Sequence, residues 1–492
     1  MNTQLRPMRT KTRYQQLVEV ITEAIDQGRI APGSILPSIR ECARQHGLAI
    51  NTVITAYQLL EDRGLVRSVP QSGFHVCPRL PEVEHPLHAG IVSYSSSTEK
   101  DLLTELLEAQ SKPGVVDLAF AAPRGQKFYP GRTLAQLTKQ VLHERASVVT
   151  TYALPPGSGS LCEQIAGRAK LLGMALSPED LVLTHGATEA LQLALRAVAK
   201  PGDTVAIEAP TYFNLYPLLQ SMGLIGLEVP THPRTGLMIQ ELESLLAQKK
   251  IAAVVTMPTV QNPLGCSMPA DSKRRLAALA ERYETPIIED AVYAELQYEE
   301  PLKPTVRSFD SAGWVMVCGG FSKTLAPDYR LGWLDGGRFS HQVKRLKFAS
   351  SATESVLLSE AIARYIQNGG YDRHLRSLRR IYQSQVDAVR GLIGKHFPAG
   401  TRATQPDGGF VIWVELPEQI HTTELFRKAL LKNVVFMPGE LYSDGPRFTN
   451  CMRIACCQDL SEVFIRALKI LGDLAWQELN GERDLASLPT KD

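Results

Sequence analysis

The chain has 492 residues, 44% of them hydrophobic and 21% charged, with a formal net charge of +2; the length points to two or three domains, and the composition excludes a disordered or fibrous chain. Residues 1–79 carry 10 Lys and Arg against 6 Asp and Glu, a net of +4, and the remainder has 43 against 45, a net of −2, so contact with a phosphate backbone is expected at the amino-terminal end. Eight cysteines form no CxxC pair, the start lacks a signal peptide's apolar stretch, and the uncharged runs 209–227 and 251–270 are broken by Pro, Asn, Gln and Gly, so no metal, no membrane span and a cytoplasmic setting are expected.

Tyr14, Leu17, Val18, Ile21 and Ile25 recur at helical spacing, with Gly28 as a stop. Pro32-Gly33 turns the chain, and a second helix is predicted from Pro37-Ser38 to Gly47. A third is predicted from about Ala49 to Arg63, burying Ile50, Val53, Ile54, Tyr57 and Leu60. Its opposite face carries Asn51, Thr52, Thr55 and Gln58, short hydrogen-bonding groups suited to base edges or phosphates. Two brief apolar runs, 65–69 and 74–76, flank Gln71-Ser72-Gly73. Three helices and a hairpin describe a winged helix-turn-helix; on periodicity alone, a helical cap or interaction domain fits equally.

The motif text separates these readings. Pro32-Gly33, Leu36-Pro37-Ser38, Arg40, Gly47, Asn51-Thr52-Val53, Ala56-Tyr57, Leu60, Gly64-Leu65-Val66 and Ser72-Gly73 resemble the GntR-type winged helix, which implies a DNA-binding domain over residues 1–79. By that resemblance Ser38 and Arg40 meet phosphates, Asn51, Thr52, Thr55 and Tyr57 lie along the recognition helix, and Gln71, Ser72 and Gly73 reach a minor groove. Ala49 and Ile50 stand where the family usually has Ser and often Arg. That removes a side-chain cap worth about 1 kcal/mol and one phosphate contact, so a shifted operator preference is expected.

Residues 80–112 read as a linker, with prolines and Ser95-Ser96-Ser97 but no period at first. Leu102, Leu103, Leu106 and Leu107 then mark a short amphipathic helix expected to pack on the large domain; a solvated loop with no communicating role is the alternative.

From about residue 113 to 492, short apolar runs at 181–183, 204–207, 252–257, 287–289, 315–318 and 331–334 alternate with helical patterns. This predicts an α/β domain with a mainly parallel sheet, whose ligands sit beyond the carboxyl ends of the strands. Lys323 follows Ser322, with Arg330 seven residues on. That grouping suits pyridoxal 5'-phosphate, held as an internal aldimine on Lys323 with its phosphate on the arginine. Gly186, Ala187 and Thr188 open a predicted helix and offer free amides to an anion. Asp290 ends an apolar run, with Tyr293 three residues later; taken singly, Asp290 is a helix cap. Taken together, Asp290 pairs with the pyridine nitrogen, Asn262 and Tyr293 bond the phenolic oxygen, and Tyr212 stacks on the ring. Arg330, Ser322 and the 186–188 amides neutralise the phosphate.

Asn262-Pro263-Leu264-Gly265, Asp290 with Tyr293, Ser322-Lys323 and Arg330-Leu331-Gly332-Trp333 appear in the order of the class I, fold-type I aminotransferases, which residues 113–480 resemble. The resemblance implies that fold, with a smaller carboxyl-terminal α/β subdomain. It also implies that Tyr152 reaches the phosphate of a neighbouring subunit and that Arg453 clamps a substrate α-carboxylate; without it, Arg453 reads as a surface strand residue. Gly320 replaces a common Ser or Thr, 121–125 lacks the expected glycine pattern, and Cys162 stands for a usual arginine, so weaker cofactor binding and altered substrate handling are expected. Reader and body together resemble the MocR regulators. That implies a head-to-tail homodimer engaging paired half-sites of double-stranded DNA, with an amino compound or pyridoxal phosphate itself as effector. Two alternatives stay open: a working aminotransferase with a DNA tether, and a DNA binder with a vestigial pocket.

Overall fold

The computed structural model describes residues 12–69, 72–77, 80–84, 97–123, 125, 127–248, 250–445 and 447–481. The amino-terminal unit comprises α1 (Arg13–Asp26), α2 (Ile39–His46), α3 (Ile50–Asp62) and an antiparallel hairpin of β1 (Val66–Val69) and β2 (Gly73–Val76). Leu17, Val18, Ile21 and Ile25 of α1 share one apolar cluster with Val53, Ala56, Tyr57 and Leu60 of α3. The Ser38 hydroxyl caps α2 by accepting from the Glu41 amide at 3.3 Å, and α2 ends at Gly47 in the left-handed region. Ala49 begins α3 with no side-chain cap. Three expectations for α3 fail, the first being Ile54, which is half-buried and outside the cluster. Ile50, in its first turn, points away from the cluster and is 49% exposed. Tyr57, expected at DNA, is fully buried, and its hydroxyl donates to the Pro37 carbonyl at 2.8 Å; it braces the entry to α2 and has no path to a groove.

The large domain is built on an eight-stranded sheet. Its order is Leu181–His185, Leu331–Asp335, Val315–Gly320, Ile287–Asp290, Ala253–Thr256, Thr204–Ala209, Ile225–His232 and Gly236–Leu237. Leu331–Asp335 and Gly236–Leu237 run antiparallel to their neighbours, and the other pairings are parallel. Parallel strands are covered on both faces, which is why they read as unbroken apolar runs. Ile225–His232 is not among the predicted runs, because Gly226, Glu228 and Pro230 interrupt it. A smaller antiparallel sheet follows the long helix Gly370–His396, in the order Arg402–Ala403, Val411–Glu415, Cys451–Ala455, Met437–Pro438.

The described ends of the connecting segment are seated on this body. Leu80 and Val83 join the core of the smaller subdomain together with Leu102, Leu106 and Ala109 of α4 (Ser97–Ser111). The Arg390 guanidinium, on the long helix, donates to the Leu80 carbonyl at 3.4 Å, and the Ala403 amide donates to the Pro81 carbonyl at 2.9 Å. Gly64, just beyond α3, rests on the same helix: a Cβ there would lie 3.2 Å from the Asp387 carbonyl oxygen.

Candidate functional site

The carboxyl ends of the central strands open into a cavity of about 280 Å³. Of the residues expected at a cofactor, Ala187, Thr188, Tyr212, Asn262, Asp290, Tyr293, Ser322, Lys323, Arg330 and Arg453 all line it. They come from sequence positions 187 to 453, and the large sheet and the smaller subdomain's strand Cys451–Ala455 together bring them to one space. Gly186 stands directly behind, at the first turn of the helix Gly186–Val198.

The Lys323 ammonium donates to the Ala121 carbonyl at 2.7 Å. Burial, reinforced by Arg453 and Arg330, pulls its pKa down to about 8, which raises the share of unprotonated amine, the form that attacks carbonyls, above that of an ordinary lysine. Condensation with added pyridoxal phosphate should therefore accelerate as pH rises from 7 to 9. Stopped-flow absorbance would check this; a rate flat to pH 9 and rising only near 10 would contradict it.

Asp290 closes the strand Ile287–Asp290. It is 7% exposed, and its carboxylate accepts from the Val292 amide at 3.0 Å. Burial pushes it up to about 6, with Glu289 adding repulsion. A buried carboxylate held this way fits a protonated ring nitrogen. Asn262 accepts from the Arg453 guanidinium at 3.3 Å, and Arg453 also donates to the Ala119 carbonyl. Arg453 is 1% exposed, and its Nε has no partner among the described residues, the posture of a group waiting for an anion.

The anion cup is set by close backbone approach. Arg330 sits in the left-handed region at φ 51° and donates to the Ser322 hydroxyl at 3.3 Å. A Cβ on Gly186 would lie 2.8 Å from the Arg330 guanidinium. One on Gly332 would lie 2.5 Å from the Gly186 carbonyl carbon and 2.8 Å from the Ala187 amide nitrogen. Bare glycines thus bring a helix N-terminus, a guanidinium and a hydroxyl together around one small space, which fits a phosphate. Gly320 contributes no hydroxyl, and a Cβ there would meet only ordinary contacts, 3.4 Å from the Leu331 carbonyl oxygen and 3.5 Å from the Ala187 nitrogen. The residues present fit pyridoxal phosphate.

Other expected residues lie elsewhere. Tyr152 is 89% exposed and does not line the cavity. Cys162 is buried in the apolar core, where burial pushes its thiol up to about 11. Arg124 and Gln71 fall outside the described residues. On the amino-terminal unit, Ser38, Arg40, Asn51, Thr55, Ser72 and Gly73 are exposed and Thr52 is half-buried. The Thr55 hydroxyl donates to the Asn51 carbonyl at 2.9 Å, which leaves its lone pairs for a partner.

Several lining residues went unforeseen, among them Leu107 and Gln110 on α4, Phe213 and Met437. The α4 pair had a signal, a second stripe at Leu103, Leu107 and Gln110 beside the buried one. Among the described residues, no His, Cys, Asp and Glu group is arranged for a metal ion, and no helix is long and apolar enough to cross a membrane.

Comparison with known proteins places both parts of the chain in known families. Residues 114–468 match the aminotransferase class I and II family, and residues 13–76 match the bacterial regulatory proteins of the gntR family. The chain is 35% identical over 473 residues to the uncharacterized HTH-type transcriptional regulator YjiR of Escherichia coli (strain K12), covering 95% of this chain and 100% of that one. It is 30% identical to aromatic-amino-acid aminotransferase 1 of Thermococcus litoralis, over 77% of this chain and 92% of that one. The crystal structure of the multiple substrate aminotransferase from Thermococcus profundus superposes with a TM-score of 0.72 at 28% identity, covering 79% of this chain and 96% of that one.

Proposed function

The chain belongs to the MocR-type regulators, a GntR reader joined to a class I and II aminotransferase domain, and from that premise we propose that it is a pyridoxal phosphate-dependent DNA-binding transcriptional regulator. The carrying observation is a cavity in which Lys323, Asp290, Arg330 and Arg453 converge, within a chain whose start matches a DNA reader. When bound, the cofactor supplies an aldehyde for amines and a pyridine ring that accepts electrons. Lys323 offers the amine, and Asp290 holds a proton at the pyridine nitrogen. Asn262 and Tyr293 orient the phenolic oxygen, and Tyr212 covers the ring face. The Gly186–Thr188 amides, Ser322 and Arg330 hold the phosphate. Arg453 receives the carboxylate of an amino-compound effector, with the cofactor itself as the other candidate effector.

Occupancy changes the charge and volume of a cavity walled by α4, the helix that follows the reader's connector. If one seating of the reader fits the occupied state better by about 1–3 kcal/mol, DNA occupancy shifts roughly 5- to 150-fold. Val149, Tyr152 and Leu154, three exposed apolar side chains within six residues, would gain from burial against a second copy. The reading includes a head-to-tail dimer in which Tyr152 would serve the partner's phosphate and two readers would meet paired half-sites. A cytoplasmic setting goes with this reading.

The test is a titration of the cofactor-loaded chain with amino acids, amines and free cofactor. It follows the visible spectrum and, in parallel, binding to DNA selected by the protein from a random-sequence pool. Spectral change accompanied by changed DNA affinity is expected; spectral change that leaves DNA affinity untouched would contradict the sensor reading. Asn51→Ala should weaken binding to that DNA by about tenfold or more and leave the visible spectrum unaltered; a gel-shift titration reads the first and absorbance the second.

The presence of Lys323, Asp290 and Arg453 in one cavity also favours a second reading, a working aminotransferase carrying a DNA-binding domain. Sustained keto acid formation from amino donor and keto acceptor would support it. A single stoichiometric conversion would not.

A further inference from the structure

We propose that α4 forms the wall that selects the effector's side chain, and that it selects an α-amino acid whose side chain is apolar and uncharged. The inference rests on the functional reading above and names the ligand class for that same site.

The first observation is how α4 is held. Leu102, Leu106 and Ala109 are buried in the core of the smaller subdomain, so one face of the helix is anchored. The next stripe, Leu107 and Gln110, lines the cavity that Lys323 and Asp290 line from the sheet side. Leu107 is 56% exposed, and Phe213 and Met437 line the same cavity. An open apolar wall at a ligand cavity gains most when an apolar group covers it.

The second observation is charge. The cations lining the cavity are Lys323, Arg330 and Arg453. Arg330 is committed to the anion cup with Ser322 and the helix start, and Lys323 to the cofactor aldehyde. That leaves Arg453, with its unpartnered Nε, for one carboxylate. No fourth cation lines the cavity among the described residues. On the α4 side the polar group is Gln110, which donates to the Asp117 carboxylate at 3.4 Å. A second carboxylate on the ligand would therefore meet leucine and one amide already turned to Asp117, and a buried charge left unpaired is strongly disfavoured.

The test uses the full-length, cofactor-loaded chain titrated with L-leucine, L-phenylalanine and L-glutamate, read by the visible spectrum and by calorimetry. The apolar amino acids should bind about tenfold or more tightly than glutamate. Leu107→Arg adds a cation to the wall, so it should narrow or reverse that ratio; Leu107→Ala should weaken the apolar ligands. Because Leu107 is more than half exposed, both variants should fold, which thermal unfolding verifies. Glutamate binding as well as leucine, or a ratio unmoved in Leu107→Arg, overturns the inference alone. If none of the three amino acids changes the spectrum or releases heat, the ligand class is wrong. If other amines and free cofactor also fail, the sensor reading falls with it.

Discussion

Lys323→Ala should abolish the visible absorption that pyridoxal phosphate gives the chain, and with it any covalent adduct after borohydride reduction. Among the described residues lining the cavity, this is the single primary amine that can condense with an aldehyde; the neighbouring Arg330 and Arg453 carry guanidinium nitrogens instead. The fold should survive: the lysine is buried at a desolvation cost that lowers its pKa to about 8, and alanine removes that cost along with one hydrogen bond to Ala121. DNA binding by the unliganded variant should remain within a few-fold of the parent, since the reader's own core, from Leu17 to Val76, contains nothing from the cavity. Absorbance, and gel shift on DNA selected by the parent protein, read the two arms. Loss of DNA binding in step with the absorbance would show that the roles are not separable.

Gly332→Ala should weaken retention of pyridoxal phosphate by roughly 100-fold, at a stability cost of about 1–3 kcal/mol. The added methyl would press on backbone at 2.5 and 2.8 Å, the Gly186 carbonyl carbon and the Ala187 nitrogen, and backbone cannot rotate aside as a side chain can. The helix start would have to move, taking the anion-binding amides away from Arg330. Gly320→Ser, three residues before Lys323 and paired with Gly332 across the two strands, is the matched opposite. Its Cβ meets nothing closer than 3.4 Å, and its hydroxyl restores a donor to the cup, so retention should tighten by about tenfold. Equilibrium dialysis separates the two. Equal retention in Gly332→Ala and parent would mean that the phosphate sits elsewhere.

The legible parts of the sequence share one physical cause. Strands buried on both faces must be apolar throughout, so the runs around 181, 204, 253, 287, 315 and 331 coincide with strands of the sheet. The polar residues that end them, such as Asp290, stand out against that background. Arg453 was opaque without a family pattern, because one arginine in the strand Cys451–Ala455 looks the same in sequence whether it faces solvent or a cavity. Tyr57 shows the same limit in reverse. Its helix face was readable, but the Pro37 carbonyl that takes its hydroxyl lies 20 residues away. The Ala121 carbonyl, which meets the Lys323 amine, had no signal at all, since every residue carries a carbonyl. The α4 wall required knowing that a helix near residue 107 and a strand end near 290 border one space.

The most direct measurement is borohydride reduction of the cofactor-saturated chain, followed by peptide mass mapping. The account predicts one phosphopyridoxyl adduct per chain, on the peptide that contains Lys323, in protein that still shifts its selected DNA. A reduced preparation with no adduct, or with the adduct on Lys273, Lys347 or any other lysine, would contradict it.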